Sequence, residues 1–520
     1  MRHSMAQSPN AQPLRRIAIV GGGTAGWMTA AFLSRFLDPA RVHVTVVESE
    51  AIGTIGVGEA TVPPLIAFLR LLGINEEELM VECHATYKLG IKFVHWHRRH
   101  AEVWHPFGPI GAPLVEGLPL FHHWLKNVRE GRDRSSFSSY SLQALLADLD
   151  RAPRTLREPS LVTRHGAYAY HLDAREFAAY LARWAVRRGV EQRVDDVVNV
   201  SLDERGFIGG LQMARGGPIE ADLYIDCTGF AGLLAEKTLG DPYIDWSPQL
   251  LCDRAVVLPL PFDRRLPPCT TATALSAGWA WRIPLSHRVG CGYVYSSRFT
   301  SDEDALAELA RHVGRDPAAV EAEAQRIPMR VGRRTRFWSG NCVAVGLAAG
   351  FLEPLESTGL FLVQKGIELL LDHFPDRGFN TALAQRYNEA LGAQFEQVRD
   401  FIALHYLLNG RDEPFWAENR SMDPPESLAR TLALYDETAL VEWDERTLFR
   451  DSSFYSIAAG FGRLPKAYHA MADQVDGERV WQAMVSIKAQ NLTLSRSLPE
   501  HGVMIQALKL SAKPGGSGAP

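Results

Sequence analysis

Cysteine is scarce in this chain and scattered. Cys83, Cys227, Cys252, Cys269, Cys291 and Cys342 include no CxxC pair. That spacing speaks against a finger-type zinc site or a disulfide framework, and reduced thiols in a cytoplasmic protein are the expectation. The 17 histidines form no HExxH, so no metal site is expected. Apolar runs fall short of the roughly 18 residues of a membrane span. Met1 to Leu14 is polar and proline-containing, unlike a signal peptide. An excess of positive charge is missing as well, and a net charge of -5 argues against a generic nucleic-acid binder. Lysine is rare, 9 against 46 arginines, so each lysine can be scrutinised singly.

What remains has the balance of a folded enzyme, with 46% hydrophobic and 22% charged residues over 520 positions. Such a length suggests three units, which large α/β enzymes often fuse into one body. A βαβ unit opens the chain. Arg16 to Val20 reads as an apolar strand, Gly21-Gly22-Gly23-Thr24-Ala25-Gly26 as a tight turn, Trp27 to Phe36 as a helix, and Val42 to Val47 as a second strand ending in Glu48. This is the order of a dinucleotide-binding fingerprint. Gly21 permits the turn, Gly23 lets the backbone approach a pyrophosphate, Gly26 lets helix meet strand, and Glu48 is placed to accept ribose hydroxyls.

Helices are expected at Pro64 to Leu72, Asn75 to Ala85 and Asp173 to Arg188, the last capped by Asp173, and a strand at Ile91 to Trp96. Residues 101–123 are rich in proline and glycine and read as a loop. Ala221 to Asp226 and Cys342 to Val345 read as buried strands entering glycine turns, with a helix at Leu360 to Leu370 after the second. Alternating aromatic residues between 253 and 296 predict a sheet inserted on the substrate side. The expected architecture is α/β: a discontinuous dinucleotide-binding core over 15–375 with that inserted sheet, a mainly helical substrate-side region over 376–500, and a disordered Gly/Ser/Pro tail over 511–520. Only one full fingerprint is present, so one dinucleotide suffices. The residues alone do not decide between NAD and FAD.

Three further peptides narrow the reading: Gly56-Val57-Gly58-Glu59-Ala60-Thr61, Trp279-Ala280-Trp281-Arg282-Ile283-Pro284 and Glu353-Pro354-Leu355-Glu356-Ser357-Thr358-Gly359. Together with the fingerprint, in this order over roughly residues 15–500, they resemble the flavin-dependent halogenases of the tryptophan halogenase family. The resemblance implies an FAD-binding Rossmann-like fold of the flavin monooxygenase and halogenase type. It implies that reduced FAD (FADH2), oxygen and chloride or bromide yield hypohalous acid, which passes through a tunnel to an aromatic substrate. It also implies that a separate NAD(P)H-dependent flavin reductase supplies the FADH2 by diffusion, and it is compatible with a homodimer.

The same resemblance assigns residues. Lys88 is the catalytic lysine, with Lys92 the neighbour most easily confused with it. As an ammonium, Lys88 would hydrogen-bond hypohalous acid; as an amine it would form a haloamine, and both remain open. Glu356 is the active-site glutamate, suited to take the arene's proton and to stabilise the cationic adduct. Glu353 fits better as a structural charge near a helix start. Gly58 and Gly346 join the flavin-binding glycines. Thr358 and Gly359, at a helix N-terminus, are the implied halide site. Trp279 and Trp281 alternate on a strand, share one face, and are expected to wall the tunnel.

His105 and Phe107, in His105-Pro106-Phe107-Gly108, match the arene pocket. The carboxyl-terminal substrate segment departs from the free-tryptophan enzymes. A tyrosine pair has no counterpart, Asp444 stands where a glutamate is expected, and a Phe-Trp pair has become Leu448-Phe449. Phe449 can keep an aromatic wall, but the clamp for an amino acid's ammonium and carboxylate is in doubt. Indole or an indole derivative is therefore the expected substrate, ahead of free tryptophan. A flavin monooxygenase and a noncatalytic flavin-binding protein are the other readings.

Overall fold

The computed structural model describes residues 12–52, 58–114, 117–156, 168–444 and 446–511. Gly56 and Val57 and the tail beyond Ser511 lie outside them. The amino-terminal strand Arg16–Val20 is the centre of a six-stranded sheet. It pairs in parallel with His43–Glu48 on one side and Leu223–Asp226 on the other, with Ile19 opposite both Val46 and Ile225. Cys342–Ala344 and Glu191–Val194 extend the parallel array, and Trp338–Ser339 closes one edge antiparallel. Runs of Val, Ile and Ala suit strands covered on both faces. Helix Thr24–Phe36 crosses between the first two strands and is buried from Gly26 to Leu33. Gly26 is where helix and turn meet: a Cβ there would lie 1.9 Å from the Gly21 carbonyl oxygen.

The expected inserted sheet is larger than the 253–296 segment. Strands Arg254–Val257, Thr270–Leu275, Gly278–Pro284 and Arg288–Tyr295 are joined by Gln325–Pro328 and, across Thr270–Leu275, by Gly90–Val94 and Glu102–Pro106. Most of its pairings are antiparallel, but Thr270–Leu275 runs parallel to Gly90–Val94. The strand Glu102–Pro106 corrects the loop reading of 101–123, as does the helix Leu120–Arg129 that begins before the segment ends. Its prolines and glycines lie mostly beyond the strand, and Gly90 admits it closely, since a Cβ on Gly90 would meet the His105 carbonyl oxygen at 2.5 Å. A small antiparallel sheet of Gly58–Ala60, Ala169–Asp173 and Thr86–Lys88 sets Lys88 opposite Ala169.

Helices dominate the rest. Gly359–Asp372 follows the last parallel strand, and Thr381–Leu407 packs against it. Helix Glu76–Glu82 is shorter than expected because His84 turns the chain at φ +50°. Among the described residues no helix is long and apolar enough to cross a membrane, and all six cysteines are free.

Candidate active site

Two cavities flank helix Gly359–Asp372. The first, about 800 Å³, runs along the carboxyl ends of the parallel strands. Its walls include Gly21 and Gly23 of the first turn, Thr228 and Gly229 of the second, Gly58, Gly346 and Gly359. Helix Thr24–Phe36 starts at Gly23 with no side-chain cap, and a Cβ on Gly23 would meet nothing within 4 Å. Uncapped N–H groups facing open space at a helix N-terminus fit a pyrophosphate. Asp226 takes no part in the wall. Its carboxylate accepts from the backbone N–H of Thr228, Leu234 and Ala235, which shapes the second turn. Glu48 ends its strand half-buried, where its carboxylate accepts from the Trp27 indole and the Gln192 amide. Val47 and Ser49 beside it face the cavity. A cavity of about 800 Å³ with this cradle in its wall fits a dinucleotide such as FAD.

Trp279 and Trp281 line the same cavity, with ring centroids 6.3 Å apart. Gly359 lines it too, and a Cβ there would meet nothing within 4 Å. Thr358 precedes the helix without capping it, so the first-turn N–H groups have no side-chain acceptor. That is a chemically suitable cradle for a monovalent anion.

The second cavity, about 810 Å³, is lined by His105, Phe107, Leu448, Phe449, Trp443 and Tyr455 among others. Phe449 stacks on Phe401 at 4.0 Å and lies 5.9 Å from the His105 ring. Helix Gly359–Asp372 is the partition: Leu362, Val363 and Gly366 face the first cavity, Phe361 and Lys365 the second.

Lys88, at the end of strand Thr86–Lys88, and Glu356, just before this helix, lie beside the partition, both 0% exposed. Lys88 Nζ donates to the Thr61 carbonyl at 3.0 Å and to Ser357 Oγ at 2.8 Å. It also sits 5.0 Å from the Phe107 ring centroid. It therefore touches Ser357, which lines the first cavity, and faces Phe107, which lines the second. Burial pushes its pKa down to about 7, against the opposing pull of Glu356. Ser357 adopts φ +60°, uncommon for a residue other than glycine, and this turn brings its hydroxyl to Lys88.

Glu356 closes the short turn Pro354–Glu356. His105 Nδ1 hydrogen-bonds its Oε2 at 2.8 Å, and His405 Nε2 lies 2.8 Å from its Oε1. Burial alone would raise the carboxyl; the two histidines outweigh it and hold the pKa at about 2. Glu353, three residues earlier, is equally buried but pushed up to about 7 by burial. It accepts from Trp279 Nε1 at 3.1 Å and from the Tyr406 hydroxyl at 2.6 Å. It is not a helix-dipole charge, because the helix begins six residues later, at Gly359.

Lys92 is excluded from this cluster. Its Nζ is paired with Asp148 at 2.9 Å and Glu102 at 3.1 Å, above the Trp104 ring. Asp444 folds back on its own turn, accepting from Arg446 N at 2.8 Å and Thr447 Oγ1 at 3.1 Å. Sequence reasoning missed His405 and Phe401. Their spacing of four on one helix face is visible in the sequence, but nothing there brings that face to Glu356.

The site is thus two cavities with a buried lysine and a buried glutamate between them. The Tryptophan halogenase family matches residues 16–477, and the chain belongs to that family as a flavin-dependent halogenase. Tryptophan 6-halogenase SttH of Streptomyces toxytricini is 42% identical over 80% of this chain and 83% of its own. 7-chloro-L-tryptophan 6-halogenase KtzR of Kutzneria sp. is 40% identical over 93% and 98%. The structure of BrvH, a flavin-dependent halogenase from Brevundimonas sp. BAL3, is 39% identical with a TM-score of 0.88, covering 95% of this chain and 99% of that one.

Proposed function

We propose that this enzyme chlorinates or brominates an electron-rich arene, indole or an indole derivative, with hypohalous acid handled by Lys88 and Glu356. One observation carries the reading: both groups are fully buried and bridge residues of the two cavities, Lys88 touching Ser357 of the first and Phe107 of the second, Glu356 bonded to His105 of the second. When bound, the reduced flavin, with oxygen and halide, supplies the hypohalous acid. Gly21, Gly23, Gly26, Gly58 and Gly346 shape its cavity, with Glu48 at the edge of the first turn, and Thr358 and Gly359 offer the halide cradle.

Lys88 has two N–H groups committed, to Thr61 and Ser357, and as an ammonium it has a third. That third N–H donates to the hypohalous oxygen and makes the halogen more electrophilic. The arene carbon takes the halogen as the halogen–oxygen bond breaks with its electron pair on oxygen. The oxygen takes a proton from Lys88 and leaves as water, the arene loses its proton to Glu356, and return of that proton to Lys88 closes the cycle, so that hypohalous acid and arene become haloarene and water. A carboxylate near the cationic adduct also stabilises it. His105, Phe107 and Phe449 hold the flat ring. Trp279 and Trp281 wall the flavin side.

The substrate reading rests on the second cavity's rim. Asp444 is turned onto its own backbone and there is no tyrosine pair, so an amino-acid clamp lacks those partners here, while Lys365, Arg446, Arg450 and Asp451 line the cavity. A separate flavin reductase supplies FADH2, since one dinucleotide fingerprint is present. A panel of indole, tryptamine, tryptophan and phenols, run with each halide and with or without a reductase, tests this reading. Indole should show the highest kcat/KM, and turnover should require the reductase. A clear preference for free tryptophan at C5, C6 or C7 would overturn the substrate assignment.

A further inference from the structure

A buried chain of hydrogen bonds ends at the flavin-side cavity. Thr270 opens strand Thr270–Leu275 and lines that cavity. Ala272 stands opposite Trp281 and Ala274 opposite Trp279, so Thr270, two residues before Ala272, points to the sheet face that both tryptophans share. Its hydroxyl is 2.9 Å from His171 Nε2, and His171 Nδ1 is 3.1 Å from the Thr86 hydroxyl. Thr86 in turn donates to the Pro284 carbonyl at 2.6 Å. Each link fixes the next. A carbonyl only accepts, so the single Thr86 hydroxyl proton is committed there, and Thr86 accepts from His171 Nδ1. His171 is fully buried, and burial, then the positive charge of Lys88, pushes its pKa well below the ordinary histidine value. A neutral ring protonated at Nδ1 has a lone pair on Nε2, so the Thr270 proton goes to His171. Thr270 can then accept a hydrogen bond from a ligand in the cavity and cannot donate one.

We propose that Thr270 accepts a hydrogen bond from a ring N–H of the bound flavin, and that this fixed acceptor makes the cavity hold the reduced cofactor in preference to the oxidised one. His171 and Thr86 are positioning residues that keep the Thr270 proton turned away from the cavity. This rests on the flavin reading given above. Thr270 belongs to the Lys88 side of the cavity. His171 lies opposite Thr86, two residues before Lys88 on the same strand, and feels the Lys88 charge. The reagent made at the flavin is used at Lys88, so the reacting edge of the ring belongs on this side. There the oxidised ring presents a nitrogen lone pair, which the Thr270 lone pairs repel. Two-electron reduction puts a proton on that nitrogen and turns the same contact into a hydrogen bond.

Anaerobic ultrafiltration with oxidised and with dithionite-reduced FAD, in the absence of halide and arene, reads the two dissociation constants. Wild type should hold the reduced form about tenfold more tightly or better, the scale of one hydrogen bond. Thr270→Val keeps the shape and removes the hydroxyl. It should weaken the reduced form about tenfold while the oxidised form holds or tightens. Thr270→Ser should keep the wild-type ratio. Thr86→Val lets His171 carry its proton on Nε2 and donate to Thr270, which releases the Thr270 proton to the cavity. Oxidised FAD should then gain affinity and the ratio fall about tenfold. Equal weakening of both forms in Thr270→Val, or constants unchanged by it, would overturn the proposal. Nitrogen-15 NMR of histidine-labelled wild type tests the chain without relying on how the Thr86 variant folds. The resonance pair lost in His171→Gln should be that of a neutral ring protonated at Nδ1, and a ring protonated at Nε2 or at both nitrogens would overturn the proposal. Wild type that binds neither form of FAD would remove the flavin reading itself, whereas binding that ignores Thr270 would remove only this proposal.

Discussion

The two cavities are nearly equal in size, about 800 and 810 Å³, but they are built differently. The flavin-side cavity is built around glycine turns at the ends of parallel strands, Gly21 to Gly23, Thr228-Gly229 and Gly346, alongside side chains such as Trp279 and Phe395. At Gly21 a Cβ would meet the Cys227 carbonyl oxygen at 2.2 Å, and at Gly346 the Ala25 side chain at 2.7 Å. The arene-side cavity is made of side chains drawn from positions 62 to 455. Backbone-built sites leave local motifs, because a turn must be encoded where it occurs. Side-chain-built sites depend on which distant segments meet. Between them, Glu353 and Glu356 repeat the contrast at close range. Both are fully buried, yet one is raised to about 7 and the other held at about 2, because one has a phenol and an indole for partners and the other two histidines.

The comparison can be broken from either side. The largest effect is expected at Gly26, where a side chain would collide with the Gly21 carbonyl oxygen. Gly26→Val should abolish retention of FAD, read as flavin absorbance after gel filtration, and all product with it. Glu356→Gln should leave flavin bound while product formation falls about a hundredfold, the scale of losing a positioned acid–base group. Retained turnover there would mean the partition contributes shape alone.

Smaller effects sharpen the account. Because burial brings Lys88 to about 7, raising the pH through that value strips the ammonium proposed to donate to the hypohalous oxygen. Product formation should fall about tenfold one unit above it and about a hundredfold two units above it, with flavin reoxidation unchanged as the control. A rate that climbs over the same range would favour a haloamine. The smallest change is expected at Lys92, whose ion pairs are partly exposed. Lys92→Met should cost no more than about 1 kcal/mol in chemical denaturation and leave product formation untouched.

Much of the fold was legible for the reason the first cavity was. Arg16–Val20, the strand ending at Glu48 and helix Pro64–Leu72 follow from apolar periodicity and glycine or proline punctuation. Strand Glu102–Pro106 was hidden because its short extended run adjoins a proline- and glycine-rich segment, and because its partner, Gly90–Val94, is recognised by close approach rather than by pattern. Glu353 was misjudged for want of Tyr406, 53 residues away. His405 was invisible for the same reason, since its sequence neighbours say only that it lies on a helix. Lys88 could be separated from Lys92 by resemblance. The structure adds the physical difference, one lysine enclosed with neutral oxygens and the other drawn out to carboxylates.

The central claim is that reagent formation and reagent use are separated by the wall that holds Lys88. Its most direct test is Lys88→Ala with both halves followed in one reaction, flavin reoxidation by stopped-flow absorbance and haloarene by mass spectrometry. The account predicts reoxidation within about twofold of wild type, a change well under 1 kcal/mol in barrier, with product at background. Product at the wild-type rate, or reoxidation that falls in step with product, would contradict it.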